Sequence, residues 1–463
     1  MAVNITKKDI AWNYMGNTLN IGMGILLLPA ILLMLTSQEI GLWYVFASMS
    51  ALVFLVDFGF SPTILRNITY SWSGVKELLP EGTQHIELDG KPNLSLLKSI
   101  IISSKKIYLI LTIISGILLF SFGTCYIYGL LPEKEIEYLI AWLIYSMAII
   151  LNLYYSYWTP LLKGIGAIKE ANQVLIISRL IYFIFSIIGL VFGGGLIWLS
   201  LMYLVSGLLL RILSKVYFLR LLGDDYQQDI EVRYNFKTIF SIIWPNAKKS
   251  GIVTIGAWLI TRSTTLLCAT YLGLEMTAQY GLSLQIMGIV GSFSSLLFNA
   301  YIPEIASSRV SHNAKRYNQI FSRAITIQWV VGLIGLLGVI LLGPTVLSLI
   351  GSNSTLLPSS ILVLLGIVLY LEWNHSTFAT LITMSNTVPF VRASIYSGIG
   401  IIVSSLVMLN FTTMGILGLI ISQGVVQLVY NNWRWPRWVF KENNSSVYKI
   451  LKASINEIKE KPI

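Results

Sequence analysis

The chain predicts an all-α polytopic membrane protein, and three observations lead there. Of its 463 residues, 55% are hydrophobic and only 11% charged, where a soluble domain carries about a quarter charged residues. Apolar stretches of about 18 residues or more recur from one end to the other, the length a helix needs to cross a bilayer. Lys and Arg gather in alternate connections between those stretches, as the positive-inside rule requires of a multi-pass chain. The sustained period-two alternation of a membrane strand is absent.

Taken in order, about twelve spans fall at 12–34, 42–65, 101–128, 138–160, 172–192, 196–220, 248–272, 279–302, 319–350, 356–380, 392–410 and 414–436. The third and ninth are long enough to tilt or project beyond the bilayer. Lys7 and Lys8 precede the first span with no small-residue cleavage site after it, so it reads as a retained helix.

Almost all the Lys and Arg, from Lys7 to the tail beyond Arg434, occupy the even-numbered connections and the two ends. The other side holds Lys134 among Glu133, Glu135 and Glu137. Both termini are therefore expected in the cytoplasm. The formal charge of +11 is topological, and nucleic acid is not needed to explain it. The outer connections are short, leaving no external domain for an active site. The long connections, 66–100 and 221–247, lie on the inner side. Within the first, 71–79 suits an amphipathic interfacial helix.

The second long connection divides the chain into a lobe at 1–220, a linker at 221–247, a lobe at 248–436 and a cytoplasmic tail at 437–463. The halves repeat: the stretch from Leu35 to Tyr44 resembles the stretch from Leu272 to Tyr280, with Glu39 aligned on Glu275. Six spans per half give both halves one orientation, so the repeat is parallel and predicts a cavity between two bundles.

The polar residues inside spans carry the functional reading. The stretch from Val56 to Asn67 sets Asp57 inside the second span and Arg66 at its edge, with Gly59 and Pro62 between them. The two charges lie about 13 Å apart along a helix and cannot simply pair. A carboxylate in a span faces water or finds a partner, so Asp57 either lines an interior pathway or caps and pins a neighbouring helix. Arg66 lines the same pathway or follows the charge rule.

Asn13, Asn17 and Asn20 share one face of the first span, and Gln285, Gly288, Ser292, Ser295 and Asn299 share one face of the eighth. Such stripes face a cavity or hydrogen-bond to other helices. Arg179 and Arg262 sit within spans and offer planar forks for phosphate or carboxylate. The structural alternative for Arg262 is an ion pair with a carboxylate such as Glu372. In the tenth span, Glu372, His375 and Ser376 share a face, a setting for proton uptake, sodium binding or plain helix packing. Cys125 and Cys268 both lie in apolar spans and imply neither disulfide nor metal site. A phosphate-binding glycine loop and a zinc-protease helix are both missing, so active transport would draw on an ion gradient or the membrane potential.

The twelve spans, the central linker, the stretch Asp57-Phe58-Gly59-Phe60-Ser61-Pro62-Thr63-Ile64-Leu65-Arg66-Asn67 and Leu161-Leu162-Lys163-Gly164-Ile165-Gly166 together resemble Wzx-type O-antigen and polysaccharide-unit flippases. These belong to the multidrug/oligosaccharidyl-lipid/polysaccharide exporter superfamily. The resemblance implies a two-lobed, V-shaped, functionally monomeric transporter of the bacterial cytoplasmic membrane that works by alternating access. Its substrate would be an undecaprenyl-pyrophosphate-linked oligosaccharide, its driving force H+ or Na+ coupling through Asp57, Glu372 and His375, and it would have no other cofactor. Arg262 and Arg179 would meet the pyrophosphate at depth, and Arg66, Lys248 and Lys249 would meet it at the mouth. The asparagines and Gln285 would meet the sugars, membrane lipid would hold the polyprenyl tail, and polysaccharide polymerase machinery would be the downstream partner.

Three rivals have distinct signatures. A multidrug exporter of the same superfamily prefers an acidic cavity, and the lipid II flippase relative carries more spans. A membrane polymerase or ligase shows a sizeable outer loop.

Overall fold

A computed structural model describes residues 6–57, 59–79, 92–131, 135–223, 232, 234–310, 314–383, 389–443 and 445–460. All regular structure among them is helical. The chain divides into two compact units, Met1–Trp258 and Leu259–Ile463.

The first unit contains α1 (Lys7–Met34), α2 (Ser37–Leu55), α3 (Phe60–Trp72), α4 (Leu94–Leu118), α5 (Thr124–Leu130), α6 (Ile136–Tyr154), α7 (Trp158–Gly164), α8 (Ile168–Val191), α9 (Gly195–Leu222) and most of α10 (Phe236–Thr261). A π-helical segment, Leu119–Gly123, joins α4 to α5. The unit boundary falls inside α10, downstream of the 221–247 connection, because α10 packs on the first unit. Phe240 and Trp244 lie 6.3 and 6.1 Å from the Phe60 ring, and Trp258 donates to the Ser48 carbonyl at 3.3 Å.

The second unit contains α11 (Ser263–Val310), α12 (Ala314–Ile350), α13 (Ser359–Thr383), α14 (Val391–Phe411), α15 (Ile416–Val429), α16 (Asn431–Glu442) and α17 (Val447–Glu460). Phe298, Phe321, Phe378, Trp435, Val439 and Ile450 form its core cluster. The tail at 437–463 is therefore partly helical and packed, with α16 and α17 contributing buried side chains.

Nine helical stretches among the described residues are long and apolar enough to cross a membrane. The surface reverses the pattern of a soluble protein: Phe192, Leu349 and Phe411 are 85%, 82% and 82% exposed, while Ser99, Ser103, Ser104, Ser115 and Ser146 are buried. Small hydroxyl residues let membrane helices approach closely, and lipid covers the apolar side chains that water would reject. The chain is a multi-pass membrane protein.

Several predicted spans differ in detail. The second, 42–65, is two helices, the first ending at Leu55 and the next starting at Phe60 after Gly59, which takes a left-handed φ of 73°. Pro62 then falls in the first turn of α3, where its missing N–H leaves no bond unmade. The seventh and eighth meet in one stretch, Gly251–Ile302, turned at Gly273 with φ 83°. Glu39 closes a capping box on Thr36 at the matching break in the first half, with bonds of 2.8 to 3.2 Å. The twelfth, 414–436, ends at Val429, and Tyr430 bends the chain into α16. The helix expected at 71–79 does not form: α3 stops at Trp72, Gly74 takes φ 89°, and the Val75 N–H closes the turn on the Tyr70 carbonyl.

Candidate functional site

Each unit holds a polar centre, and the two differ in chemistry. In the first unit the break between α2 and α3 presents the Asp57 carboxylate inward. It accepts a hydrogen bond of 2.5 Å from the Tyr108 hydroxyl of α4 and another from the Ser61 N–H. Asp57 thus caps α3 and pins α4 at once, as a carboxylate at a helix N-terminus should.

Arg211 of α9 reaches the same centre. It donates to Thr159 Oγ1 at 2.7 Å and has Asp57, Tyr108, Tyr203 and Arg179 as electrostatic neighbours. The Arg179 Nε is buried with no acceptor among the described residues. Around these charges the rings of Tyr145 and Tyr203 stack at 4.8 Å, and Tyr182 meets Tyr203 edge-on at 6.3 Å. The charged groups of this centre are two guanidiniums and one carboxylate, so its interior is positive. Such a field favours an anion in a medium of low polarity.

In the second unit α11, α12 and α13 enclose a cavity of about 300 Å³, at the small end of ligand-binding cavities. Its walls carry Ser292, Ser295 and Asn299 from α11, Gln328 from α12, and Trp373, Ser376, Thr377 and Thr380 from α13. Gln328 donates to Thr377 Oγ1 at 2.7 Å, which fixes one wall. Gly291 makes room for the indole: a Cβ there would come within 2.5 Å of the Trp373 ring. No charged side chain is among the lining residues. Hydroxyls, amides and the aromatic faces of Trp373 and Phe298 are the groups that bind uncharged, hydroxyl-rich ligands.

The other predicted residues are scattered. Arg262 sits in the turn between α10 and α11, exposed, inside the apolar stretch Gly251–Ile302 and without a partner among the described residues. Glu372 accepts instead from Gln423 Nε2 at 2.8 Å, and Tyr280 is its electrostatic neighbour. His375 pairs with Asn432 at 2.8 Å, so Glu372 and His375 use different helices as partners, while Ser376 turns to the cavity.

Asn13 takes part in helix contact: Asn172 Nδ2 on α8 lies 3.4 Å from Asn13 Oδ1, as does Asn17 Nδ2. Asn17 is exposed and Asn20 half-buried. Gln285 is half-buried and outside the cavity lining, whereas Gly288 is within it. The Arg66 Nε is buried without an acceptor among the described residues. Lys248 is exposed on α10, and the Lys249 side chain lies outside the described residues.

Arg211, which the charge rule also accounts for, and Tyr108, Gln328 and Trp373 are site residues beyond those the sequence singles out. Arg211 had a signal: it interrupts Leu208-Leu209-Leu210 and Ile212-Leu213, the same apolar flanking that singled out Arg179. Tyr108 and Gln328 had none, because their roles come from partners distant in the chain.

No family model and no curated protein matches the sequence. Solved structures do match its fold. Lipid II flippase MurJ in an inward closed conformation aligns with TM-score 0.63 at 13% identity, covering 97% of this chain and 90% of that one. The MATE multidrug transporter DinF-BH gives 0.60 at 10% identity, covering 96% and 97%. An outward-facing multidrug resistance MATE family transporter of the MOP superfamily gives 0.59 at 14%, covering 95% and 99%. The chain therefore has the fold of MOP-superfamily transporters.

Proposed function

We propose that this protein is a flippase that moves a lipid-linked oligosaccharide, carried on a polyprenyl pyrophosphate, across the bacterial cytoplasmic membrane. The observation that carries the reading is Arg262, an exposed guanidinium without a described partner inside an apolar stretch of 52 residues. An arginine at such a position faces water or an anion, since lipid alone would leave its charge unsatisfied. A pyrophosphate supplies that anion, and guanidinium forks match it in geometry.

Two further features fit. The positive centre of Arg179, Arg211 and Asp57 favours anions over the organic cations of drug exporters. The uncharged cavity beside Trp373 offers hydroxyl, amide and aromatic contacts to sugar rings. Transport proceeds by alternating access, with the head group passing between polar surfaces while the tail stays in lipid. Asp57 and Glu372 are the groups through which H+ or Na+ drives the cycle, because each is a carboxylate held by a single neutral side-chain donor, Tyr108 or Gln423. The multidrug reading retains one supporting observation, the fold shared with drug transporters.

The test is complementation. In a strain lacking the protein, lipid-linked single units accumulate on the inner face, and wild-type protein clears them. Arg262→Ala reaches the membrane in normal amount and fails to clear them. Full clearance by that variant removes the anion-site assignment.

A further inference from the structure

Helix α16 carries a groove that neither the transport reading nor the fold uses. Its inner face is fixed: Asn432 pairs with His375 at 2.8 Å, Asn431 donates to Ser397 Oγ and Gln427 Oε1 at 2.8 and 2.7 Å, and Trp435 donates to Asn431 at 3.0 Å. Trp435 and Val439 complete the buried side. The opposite face is thereby held in place without any ligand. It opens into a groove of about 660 Å³ lined by Trp433, Arg434, Arg437, Trp438, Lys441 and Glu442.

We propose that this groove binds the phosphate headgroup of an anionic membrane phospholipid. Three observations choose that occupant. First, α16 begins one residue after α15 ends, and the last residues of α15, Leu428 and Val429, are 57% and 70% exposed. Side chains of that kind mark the edge of the hydrocarbon layer, and α16 turns away from it at Tyr430. Second, three cations stand against one carboxylate in the lining, and two of them, Arg434 and Arg437, fall between Trp433 and Trp438 in the chain. Trp433 anchors its indole by donating to the Val429 carbonyl at 3.0 Å. Tryptophan concentrates at the headgroup layer, and juxtamembrane cations collect acidic lipids there. Third, the Arg434 guanidinium lies 5.5 Å over the Trp438 ring, and its Nε is buried with no acceptor among the described residues. A guanidinium stacked on an indole beside two further cations is the arrangement that takes a phosphate oxygen. The charge rule explains why basic residues follow the last span. It does not explain why they line a groove together with two tryptophans. This inference is independent of the substrate proposed above.

The test uses the purified full-length protein in a mild non-ionic detergent. Phosphatidylglycerol or phosphatidylcholine is titrated in, and bound lipid is counted by native mass spectrometry. Phosphatidylglycerol is expected to bind at least tenfold more tightly than phosphatidylcholine. Arg434→Gln/Arg437→Gln loses about 25-fold of that affinity, at about fivefold per cation. Lys8→Gln/Lys76→Gln, the same charge change at exposed positions elsewhere, loses none. Lys441→Gln alone loses about fivefold. Lys441→Gln therefore serves if the double variant fails to fold. Equal binding of the two lipids, or unchanged binding by both neutralised variants, overturns the proposal. Full displacement of phosphatidylglycerol by millimolar inorganic phosphate also overturns it, because the groove would then read a free anion. So does tighter binding of a polyglutamate peptide than of lipid, which would assign the face to an acidic protein.

Discussion

Replacing Tyr108 by Phe removes a single oxygen from a fully buried side chain, leaving its ring and its packing 6.0 Å from Tyr157 in place. What is lost is the 2.5 Å hydrogen bond to the Asp57 carboxylate and a weaker, neutral hydrogen bond with Ser156, which the cycle with Asp57→Asn separates from it. Bonds to a charged group contribute about 1.5–3 kcal/mol net, and no new cavity of consequence adds to that figure. At about 2–4 °C per kcal/mol for a unit of this size, the melting temperature should fall by roughly 3–12 °C. Fluorescence-monitored melting in detergent at fixed lipid content reads the shift. Asp57→Asn supplies the partner variant, since the amide keeps an acceptor and discards the charge. If the two groups act through each other, the double variant costs less than the sum of the singles, by about 1 kcal/mol or more. A shift under about 1 °C for Tyr108→Phe, or strict additivity with Asp57→Asn, refutes the view that this bond organises the first unit.

Gly189→Ala places a methyl carbon inside the Trp198 ring, which already donates to the Phe185 carbonyl at 2.7 Å. It should cost about 1–3 kcal/mol, visible as a lower melting temperature or aggregation on size exclusion. Trp373→Ala removes the aromatic wall of the uncharged cavity, and glycan transport should drop at least about tenfold while membrane insertion is kept, for a loss of stacking worth about 1.4 kcal/mol or more. The Asp9 carboxyl is held below its ordinary value of 3.8 by the Thr6 side chain and backbone. A lowered carboxyl pKa adds stability that is complete above the unfolded value and fades as pH falls through the folded one. Thr6→Val should therefore lose a small stabilisation at neutral pH and show a flatter stability profile below pH 3.8, as read by acid titration of helical circular dichroism.

The helical membrane class was legible in the sequence because hydrocarbon imposes one rule on every span, and apolar length satisfies it. Long spans three and nine were legible for the same reason, and helices of 37 and 35 residues occupy them. Breaks within spans were not. Gly59 and Gly273 look alike in sequence to glycines that stay helical, and only the surrounding packing decides which adopts a positive φ. Among polar residues, the eighth-span stripe was readable as a face, since Gly288, Ser292, Ser295 and Asn299 all reach one cavity. Which face a stripe meets was not readable, and Asn13 meets α8. Arg211 was missed because a charge near the end of a span satisfies the topological rule and a buried centre equally well. Glu372 and His375, one turn apart, separate because α15 and α16 each offer an amide, a fact that spacing within α13 does not contain.

The central claim is that the protein carries a lipid-linked oligosaccharide across a bilayer. The direct measurement places purified wild-type protein in liposomes with a fluorescent polyprenyl-pyrophosphate oligosaccharide and follows quenching of the outer leaflet by a membrane-impermeant reductant. The account predicts that protein-containing vesicles expose all of the label, that Arg262→Ala vesicles expose only the outer half, and that polyprenyl pyrophosphate glycans compete while organic cations do not. Label that stays half protected with wild-type protein under an imposed proton or sodium gradient, together with gradient-driven export of an organic cation, would contradict it.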